Sequence, residues 1–145
     1  MPSLSEEQLK AFLMTGRHIL KIATLSPDGW PYVVPVWYNY DGEAFQVLAR
    51  PKNTWVAYIR RDPRVALCVD TIEAPYTRVL VKGIADIIRQ RWLGDWRAMA
   101  VRYLGLEAGQ RYYEATKTIP RVDIRITPHQ VLTWGGGGWH PRYQE

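Results

Sequence analysis

Apolar residues in most of this chain form short runs or alternate with polar residues, a spacing typical of β-strands. The turn sequences Ser26-Pro27-Asp28-Gly29 and Asp41-Gly42 interrupt the first runs and predict tight hairpins, since proline presets φ and glycine supplies a positive φ. The predicted strands, in chain order, are His18–Leu25, Trp30–Tyr40, Ala44–Ala49, Val65–Asp70, Arg78–Ile87, Val122–Ile126 and Gln130–Trp134.

Other segments have apolar residues at intervals of three and four, which predicts amphipathic helices. Ser5 and Gln8 have the spacing of a capping box, and Asp62-Pro63 ends the second helical segment. The predicted helices are Glu6–Met14, Lys52–Arg61, Gln90–Leu104 and Glu107–Thr116. Short hairpins with few helices predict one domain over residues 1–145, with an all-β core of about seven antiparallel strands, forming a small barrel, and peripheral helices.

The segment Trp30–Tyr40 is apolar on both faces of the expected strand, so both faces are predicted to be covered. Pro35 lies in its middle and has no amide hydrogen, which favours an edge strand or a bulge. A bound ligand could then use the unpaired backbone groups beside Pro35.

A formal charge of +5 favours an anionic partner. The basic residues are dispersed rather than clustered, which argues against nucleic acid. No window approaches the roughly 20 apolar residues of a membrane span, and Met1–Lys10 lacks the pattern of a signal peptide, so we expect no membrane association and a cytoplasmic location. Cys68 is the only cysteine and is predicted to be a small buried hydrophobic residue.

The sequence Arg50-Pro51-Lys52-Asn53-Thr54 places two cations and two polar side chains beside a predicted helix start, where free amides also favour anions. The alternative is a solvated helix start. No metal-binding spacing joins His18, His129 and His140, and no nucleophile motif occurs. A redox cofactor that supplies its own chemistry would explain why no catalytic residue is evident. The glycines at 135–138 are predicted to form a flexible loop.

The order of three sequence segments resembles the flavin-binding split-barrel family related to pyridoxamine 5′-phosphate oxidase, which includes deazaflavin-dependent reductases. The three segments are residues 23–31, Val34-Pro35-Val36-Trp37-Tyr38 and residues 60–70. A fourth matching segment, Val81-Lys82-Gly83-Ile84-Ala85, comes after them. The resemblance covers most of residues 19–87 and implies a split β-barrel of the FMN-binding type, acting as a homodimer with two flavin sites at the subunit interface.

In such relatives the flavin ring lies against the strand that matches Val34–Tyr38. Trp37 and Trp55 are expected either to flank the ring or to pack in the core. Trp55 stands where many relatives have a phosphate-binding lysine, and Lys52, one helical turn earlier, is the candidate replacement. The cofactor-binding residues implied by the resemblance are Val34, Pro35, Val36, Trp37, Arg50, Lys52, Asn53, Thr54, Trp55 and, from the partner subunit, Thr77, Arg78, Trp134 and Arg142.

The resemblance therefore implies an FMN-binding oxidoreductase that transfers a hydride or electrons to or from a small organic substrate. One alternative is a reductase of the same fold that uses the deazaflavin coenzyme F420. Another is a non-catalytic module that stores or senses flavin or haem. We expect the segment Trp92–Tyr113 and the C-terminal tail to shape the open face of the ring.

Overall fold

The computed structural model describes residues 3–135, which form seven strands and four helices. In chain order they are α1 (Glu6–Met14), β1 (Leu20–Leu25), β2 (Pro31–Val36), β3 (Asn39–Tyr40), β4 (Phe45–Ala49), α2 (Thr54–Arg61), β5 (Arg64–Asp70), β6 (Arg78–Trp92), α3 (Arg97–Leu104), α4 (Leu106–Thr116) and β7 (Arg121–Trp134).

All seven strands belong to one antiparallel sheet in the order β2-β1-β5-β6-β7-β4-β3, which confirms the predicted fold class. β2 and β3 lie at opposite ends of that order, yet only Trp37 and Tyr38 separate them in the chain. Three Cα steps span at most about 11 Å, so the sheet must curl until its two ends approach each other. No ladder joins these ends within residues 3–135, and the gap between them is the split of the barrel.

The main core fills the inside of the curled sheet with the alternate residues of its strands. Leu20 and Ile22 of β1 are fully buried, whereas Lys21 between them is only half-buried. Trp55, Val56 and Ile59 of α2 and Leu13 of α1 pack into the same core. The capping box predicted at Ser5 is present, so α1 begins where the sequence indicates.

The helices α3 and α4 form a hairpin with a smaller core of their own. Trp96, Ala100 and Tyr113 are its buried residues, and the half-buried residues packed on them are Trp37, Leu48, Trp92 and Tyr112. Gly109 lets the two helices approach closely, because a Cβ there would lie 2.6 Å from the Cα of Val101. Because Leu48 and Trp37 pack on this smaller core, the hairpin lies against the outer side of β4 and beside the split.

One of the predicted strands is two strands in the structure. The segment Trp30–Tyr40 contains two strands, because the chain crosses the split at Trp37 and Tyr38. Within one chain β2 is also largely exposed, with Val33 at 63%, so the predicted cover of both its faces is not supplied by the chain itself. Pro35 does lie on an edge strand, as predicted.

The predicted helix Gln90–Leu104 begins too early. β6 continues to Trp92, which pairs with Arg121, and α3 starts only at Arg97. Cross-strand pairing outweighs the helical spacing there. The two short strands predicted after residue 121 are a single strand, β7, with a register shift opposite Gly83. Cys68 is half-buried on the outer face of β5 rather than buried in the core.

Candidate functional site

A cavity of about 450 Å³ lies in the split of the barrel. Its walls come from the edge strand β2, the end of β4, the turn before α2, the α3–α4 hairpin and the start of β7. The lining residues are Val34, Pro35, Val36, Trp37, Leu48, Ala49, Arg50, Asn53, Trp55, Trp96, Met99, Tyr112 and Arg121. β2 and β4 are far apart in the sheet order, so the curl of the sheet is what brings their residues together.

One wall is the free edge of β2. The backbone N–H of Ser26 donates to the carbonyl of Trp30 at 3.1 Å, and bonded and non-bonded pairs alternate along an antiparallel ladder. The observed register then places the pairs Leu25–Pro31 and Lys21–Pro35 at non-bonded positions. The backbone nitrogen and carbonyl of both prolines therefore point away from β1. Pro35 presents its carbonyl to the cavity as a hydrogen-bond acceptor, and it has no N–H of its own.

The opposite end of the cavity is cationic. Arg121 is only 5% exposed, and its guanidinium lies 4.7 Å from the ring centre of Trp96. It donates to the Thr116 hydroxyl and the Ile119 carbonyl at 3.3 and 3.4 Å. Burial lowers its pKa, and the charge of Arg50 lowers it further. Neither arginine takes part in an ion pair within residues 3–135.

Such an arrangement costs free energy in the empty protein, because two like charges are held close together and one of them is largely removed from water. An anion placed between the two guanidiniums would reduce both costs and accept charge-assisted hydrogen bonds. The cationic end therefore has the properties of an anion-binding site.

The turn before α2 holds Arg50 in place. The Oδ1 atom of Asn53 accepts the backbone N–H of Arg50 at 2.8 Å, and the N–H of Asn53 donates to the Arg50 carbonyl at 3.0 Å. The Asn53 side chain is thereby occupied in closing the turn and does not cap α2. The Val56 N–H donates to the Asn53 carbonyl at 3.2 Å, and the amides of Thr54 and Trp55 before it have no carbonyl within the helix, which adds positive potential at this end of the cavity.

The aromatic walls of the cavity brace one another. The ring of Trp37 stacks on that of Tyr103 at 5.0 Å with an angle of 2° between the planes. Tyr112 meets the edges of both Trp37 and Trp96, at 5.9 and 5.6 Å. The walls are flat, apolar and rigid, which suits a planar ligand.

The family model described as pyridoxamine 5′-phosphate oxidase matches residues 5–135. The chain belongs to this family. An F420 reductase has 27% sequence identity and a TM-score of 0.71, with 91% of this chain and 98% of that chain covered. A conserved hypothetical protein from Mycobacterium tuberculosis has 24% identity and a TM-score of 0.72, covering 91% and 85%.

The haem storage protein HutZ from Vibrio cholerae has the same fold at 20% identity and a TM-score of 0.65, with coverage of 91% and 96%. A comparison with curated protein sequences finds no match. The comparisons therefore show the family and the fold, and the solved structures that share this fold have different described activities.

Seven of the residues that the family resemblance indicated line the cavity: Val34, Pro35, Val36, Trp37, Arg50, Asn53 and Trp55. Trp55, at the family's lysine position, is 5% exposed in the main core, as one of its two predicted roles requires, and it also lines the cavity. Lys52 and Thr54 are exposed and do not line it. The structure thus places Arg121, rather than Lys52, at the cationic end.

The residues expected from the partner subunit form a second group away from this cavity. Arg78 pairs with Trp134 across the β6–β7 ladder, and its guanidinium lies 5.8 Å from the indole centre. Thr77 is close by, since a Cβ on Gly135 would lie 3.0 Å from its hydroxyl. The buried Nε1 of Trp134 has no hydrogen-bond partner in the described part of the chain. Arg142 lies outside the described residues.

Sequence reasoning did not assign six of the lining residues: Leu48, Ala49, Trp96, Met99, Tyr112 and Arg121. Three of them, Trp96, Met99 and Tyr112, belong to the segment expected to shape the ring's open face, but the helical spacing of Trp96 and Met99 predicts packing rather than a cofactor site. Arg121 carries no sequence signal, because one arginine before an apolar strand is common. Within residues 3–135, no cluster of His, Cys, Asp and Glu suits a metal ion, and no helix has the length and hydropathy to cross a membrane.

Proposed function

We propose that this chain is an oxidoreductase that binds a flavin-type nucleotide in the cavity of the split and acts on a small organic substrate. The observation that carries the proposal is the cavity's polarity. Arg50 and Arg121, without ion-pair partners in the described chain, lie at one end, and a free strand edge with flat aromatic walls forms the rest. A molecule with a phosphate at one end and a planar ring at the other matches both parts.

The residues would hold the two ends of such a molecule differently. The guanidiniums of Arg50 and Arg121 would bind the phosphate oxygens, with the first amides of α2 adding donors. The Pro35 carbonyl would accept a hydrogen bond from the imide N–H of the ring. The ring's N–H would supply the donor that this position of the strand edge lacks, because proline has none. Trp37, Trp96 and Met99 would exclude water from the ring, which supplies the hydride chemistry when bound.

Between the two predicted cofactors, coenzyme F420 is favoured over FMN by the similarity to an F420 reductase at 27% identity. The replacement of the family lysine by Trp55 supports the same choice. The phosphate of F420 is a diester with one negative charge, so it requires fewer cations than the terminal phosphate of FMN. FMN remains the second candidate, because the cavity would accept the same tricyclic ring.

The non-catalytic alternative has weaker support. The likeness to a haem storage protein lies at 20% identity and concerns the fold alone. The residues that line the cavity in the described chain include no histidine or cysteine, which are common haem-iron ligands. Purified protein that binds haem but neither F420 nor FMN would favour this alternative.

We further propose that the protein is a cytoplasmic homodimer. The outer face of β1, β5 and β6 carries exposed or half-buried apolar residues such as Ala23, Ala66 and Leu80, which line two shallow grooves. Exposed apolar patches of this kind are typical of interfaces. A second copy on this face would cover it, and the group around Arg78 and Trp134 is our candidate contribution to the partner's cofactor site.

The test uses titration of the purified protein with F420, FMN and riboflavin, followed by absorbance and fluorescence. We expect Arg121→Met to weaken F420 and FMN binding by roughly 10- to 100-fold, the range of a charge-assisted hydrogen bond, and to leave riboflavin binding unchanged. Arg125→Met is the matched control, because Arg125 is on the same face of β7 but pairs with Asp41 outside the cavity.

Redox assays complete the test. Bound F420 or FMN, first reduced by a reduced nicotinamide or by dithionite, should pass its electrons to small organic acceptors and so be reoxidised, and Arg121→Met should lower that turnover at subsaturating cofactor. A parent protein that binds none of the three ligands, or equal losses for riboflavin and FMN in Arg121→Met, would contradict the proposal.

A further inference from the structure

The crossing of the split at Trp37 and Tyr38 is held by the last turn of α3. The backbone N–H of Tyr38 donates to the Tyr103 hydroxyl at 3.3 Å, and its carbonyl accepts from the Arg102 guanidinium at 3.2 Å. Both backbone groups of Tyr38 are thus bound by neighbouring side chains of one helix. The position of this crossing is therefore set by α3 and not by a sheet ladder.

Arg102 connects the crossing to α1 as well. Its guanidinium donates to the carbonyls of Leu13 and Gly16 at 3.2 and 2.9 Å, next to the end of α1. It also lies 5.0 Å from the ring centre of Tyr38. The hydroxyl of Tyr38 donates to the same Leu13 carbonyl at 2.8 Å. Arg102 thereby joins three separate parts of the fold.

Tyr103 supports the cavity wall from behind. Its ring is parallel to that of Trp37 at 5.0 Å, and its hydroxyl donates to the His18 carbonyl at 2.7 Å. Trp37 lines the cavity, whereas Tyr103 and Arg102 do not. An indole without this support has several accessible rotamers, and only some of them would leave a flat wall for a planar ligand.

We propose that Tyr103 is a positioning residue that fixes the orientation of the Trp37 ring, and through it the ring of the bound cofactor. Arg102 holds the backbone next to Trp37 in place through its hydrogen bond to the Tyr38 carbonyl. The inference rests on the proposed function for its cofactor, but the stacking of Trp37 on Tyr103 is testable without one.

The first measurement uses ligand-free protein and near-ultraviolet circular dichroism. Trp37→Phe and Tyr103→Leu should remove the same ellipticity band, and the double variant should remove no more than either single variant. Tyr103→Phe retains the ring and should retain the band. If Tyr103→Leu leaves the Trp37 contribution intact, the positioning role is wrong whether or not the protein binds a flavin.

The second measurement titrates the variants with F420 and FMN well below their melting temperatures. Tyr103→Leu should weaken binding about 3- to 10-fold, as expected for one aromatic pair, and should shift the absorption maximum of the bound ring. Tyr103→Phe should bind within about twofold of the parent, despite a lower melting temperature from the lost hydroxyl contacts. A Tyr103→Leu protein that binds both ligands as the parent does would overturn the inference.

Tyr40→Leu is the matched control, since it removes a half-buried tyrosine that packs on Phe45 away from the cavity. It should lower stability without changing ligand affinity or the shared ellipticity band. Should Tyr103→Leu fail to fold, Tyr103→His retains a smaller flat ring and should show the same two effects in reduced size. A parent that binds neither ligand would refute the proposed function, and the dichroism result would still decide the role of Tyr103.

Discussion

Arg121 shows how one residue can indicate function through its cost to the fold. Arg121, a residue only 5% exposed whose guanidinium lies over Trp96 and is repelled by the charge of Arg50, lacks an acidic partner among the described residues. Its hydrogen bonds to a hydroxyl and a carbonyl occupy some of its N–H donors, but both acceptors are neutral and leave the positive charge unbalanced. A purely structural role would be filled at lower cost by a neutral side chain, so the charge itself points to an anionic ligand.

Asp41 provides a residue-scale prediction for acid stability. Its Oδ1 accepts the backbone N–H groups of Ala44 and Glu43 at 2.8 and 2.9 Å, and its Oδ2 accepts from Arg125. These bonds, the backbone ones first, lower the pKa of Asp41 to about 2. A lowered pKa stabilises the folded state above the unfolded value of about 4, and this contribution is lost as the pH falls toward 2.

Since Asp41 is half exposed, its contribution is expected to be only about 1 kcal/mol. Asp41→Asn keeps an acceptor oxygen but does not titrate. Between pH 5 and pH 2.5, the free energy of unfolding should fall by about 1 kcal/mol more in the parent than in this variant. Urea unfolding at both pH values measures the difference. Equal losses in the two proteins would show that the hairpin carboxylate does not stabilise the fold.

At the scale of elements, the edge strand β2 shows how proline positions limit pairing. Pro31 and Pro35 occupy non-bonded positions opposite β1, so neither removes a ladder hydrogen bond. The same prolines reduce the donors on the free edge, which discourages the addition of another strand there. The edge is thereby left available to a ligand in the split.

The α3–α4 hairpin gives an element-scale prediction. In an isolated helix, Gly109→Ala would be favourable by about 1 kcal/mol. Here the new Cβ would lie 2.6 to 2.8 Å from backbone atoms of Val101 and Ala100, which cannot move without separating the helices. We expect the free energy of unfolding to fall by about 1 to 3 kcal/mol, the usual cost of overpacking.

Chemical denaturation of Gly109→Ala measures this cost, and near-ultraviolet dichroism reports on the Trp96 and Tyr113 cluster. Gln110→Ala, on the exposed face of the same helix, should change stability by less than about 0.5 kcal/mol. A Gly109→Ala protein as stable as the parent would mean that the helices separate without cost.

At the scale of the whole molecule, the curl of the sheet creates both the cavity and an uncovered outer face. Ala66 lies in both grooves of that face, near Cys68 and Leu80. We expect Ala66→Glu to convert the proposed dimer to a monomer, because it places a large charged side chain where the two grooves overlap. Multi-angle light scattering after size-exclusion chromatography measures the mass.

Leu106→Glu is the control for this prediction, since Leu106 is 64% exposed on α4 and lies outside both grooves. It should leave the mass unchanged. If the parent is already a monomer, or if Ala66→Glu retains the parent's mass, the outer sheet face is not the interface.

Short sequence patterns predicted the structure correctly wherever residues close together in the chain determine it. The capping box at Ser5, the hairpin at Asp41-Gly42 and the helix end at Asp62 are all confirmed. These patterns failed at Trp37 and at Gln90–Trp92, where the direction of the chain depends on distant strands and helices. The family and the fold class were also accessible, because they depend on the order of many such local features.

The sequence by itself determined the fold class and most of the elements, including the basic turn before α2 and the apolar strand β2, since these follow from short-range backbone preferences and hydrophobic spacing. Only the tertiary structure decided which cationic side chains lie together at the cavity. Arg121 is separated from Arg50 by 70 intervening residues and reaches the cavity because β4 and β7 pair with Ala49 opposite Val122. Lys52, only two positions from Arg50 in the sequence, is exposed to solvent. The free energy of a charge depends on what surrounds it in space, and that is set by the curl of the sheet.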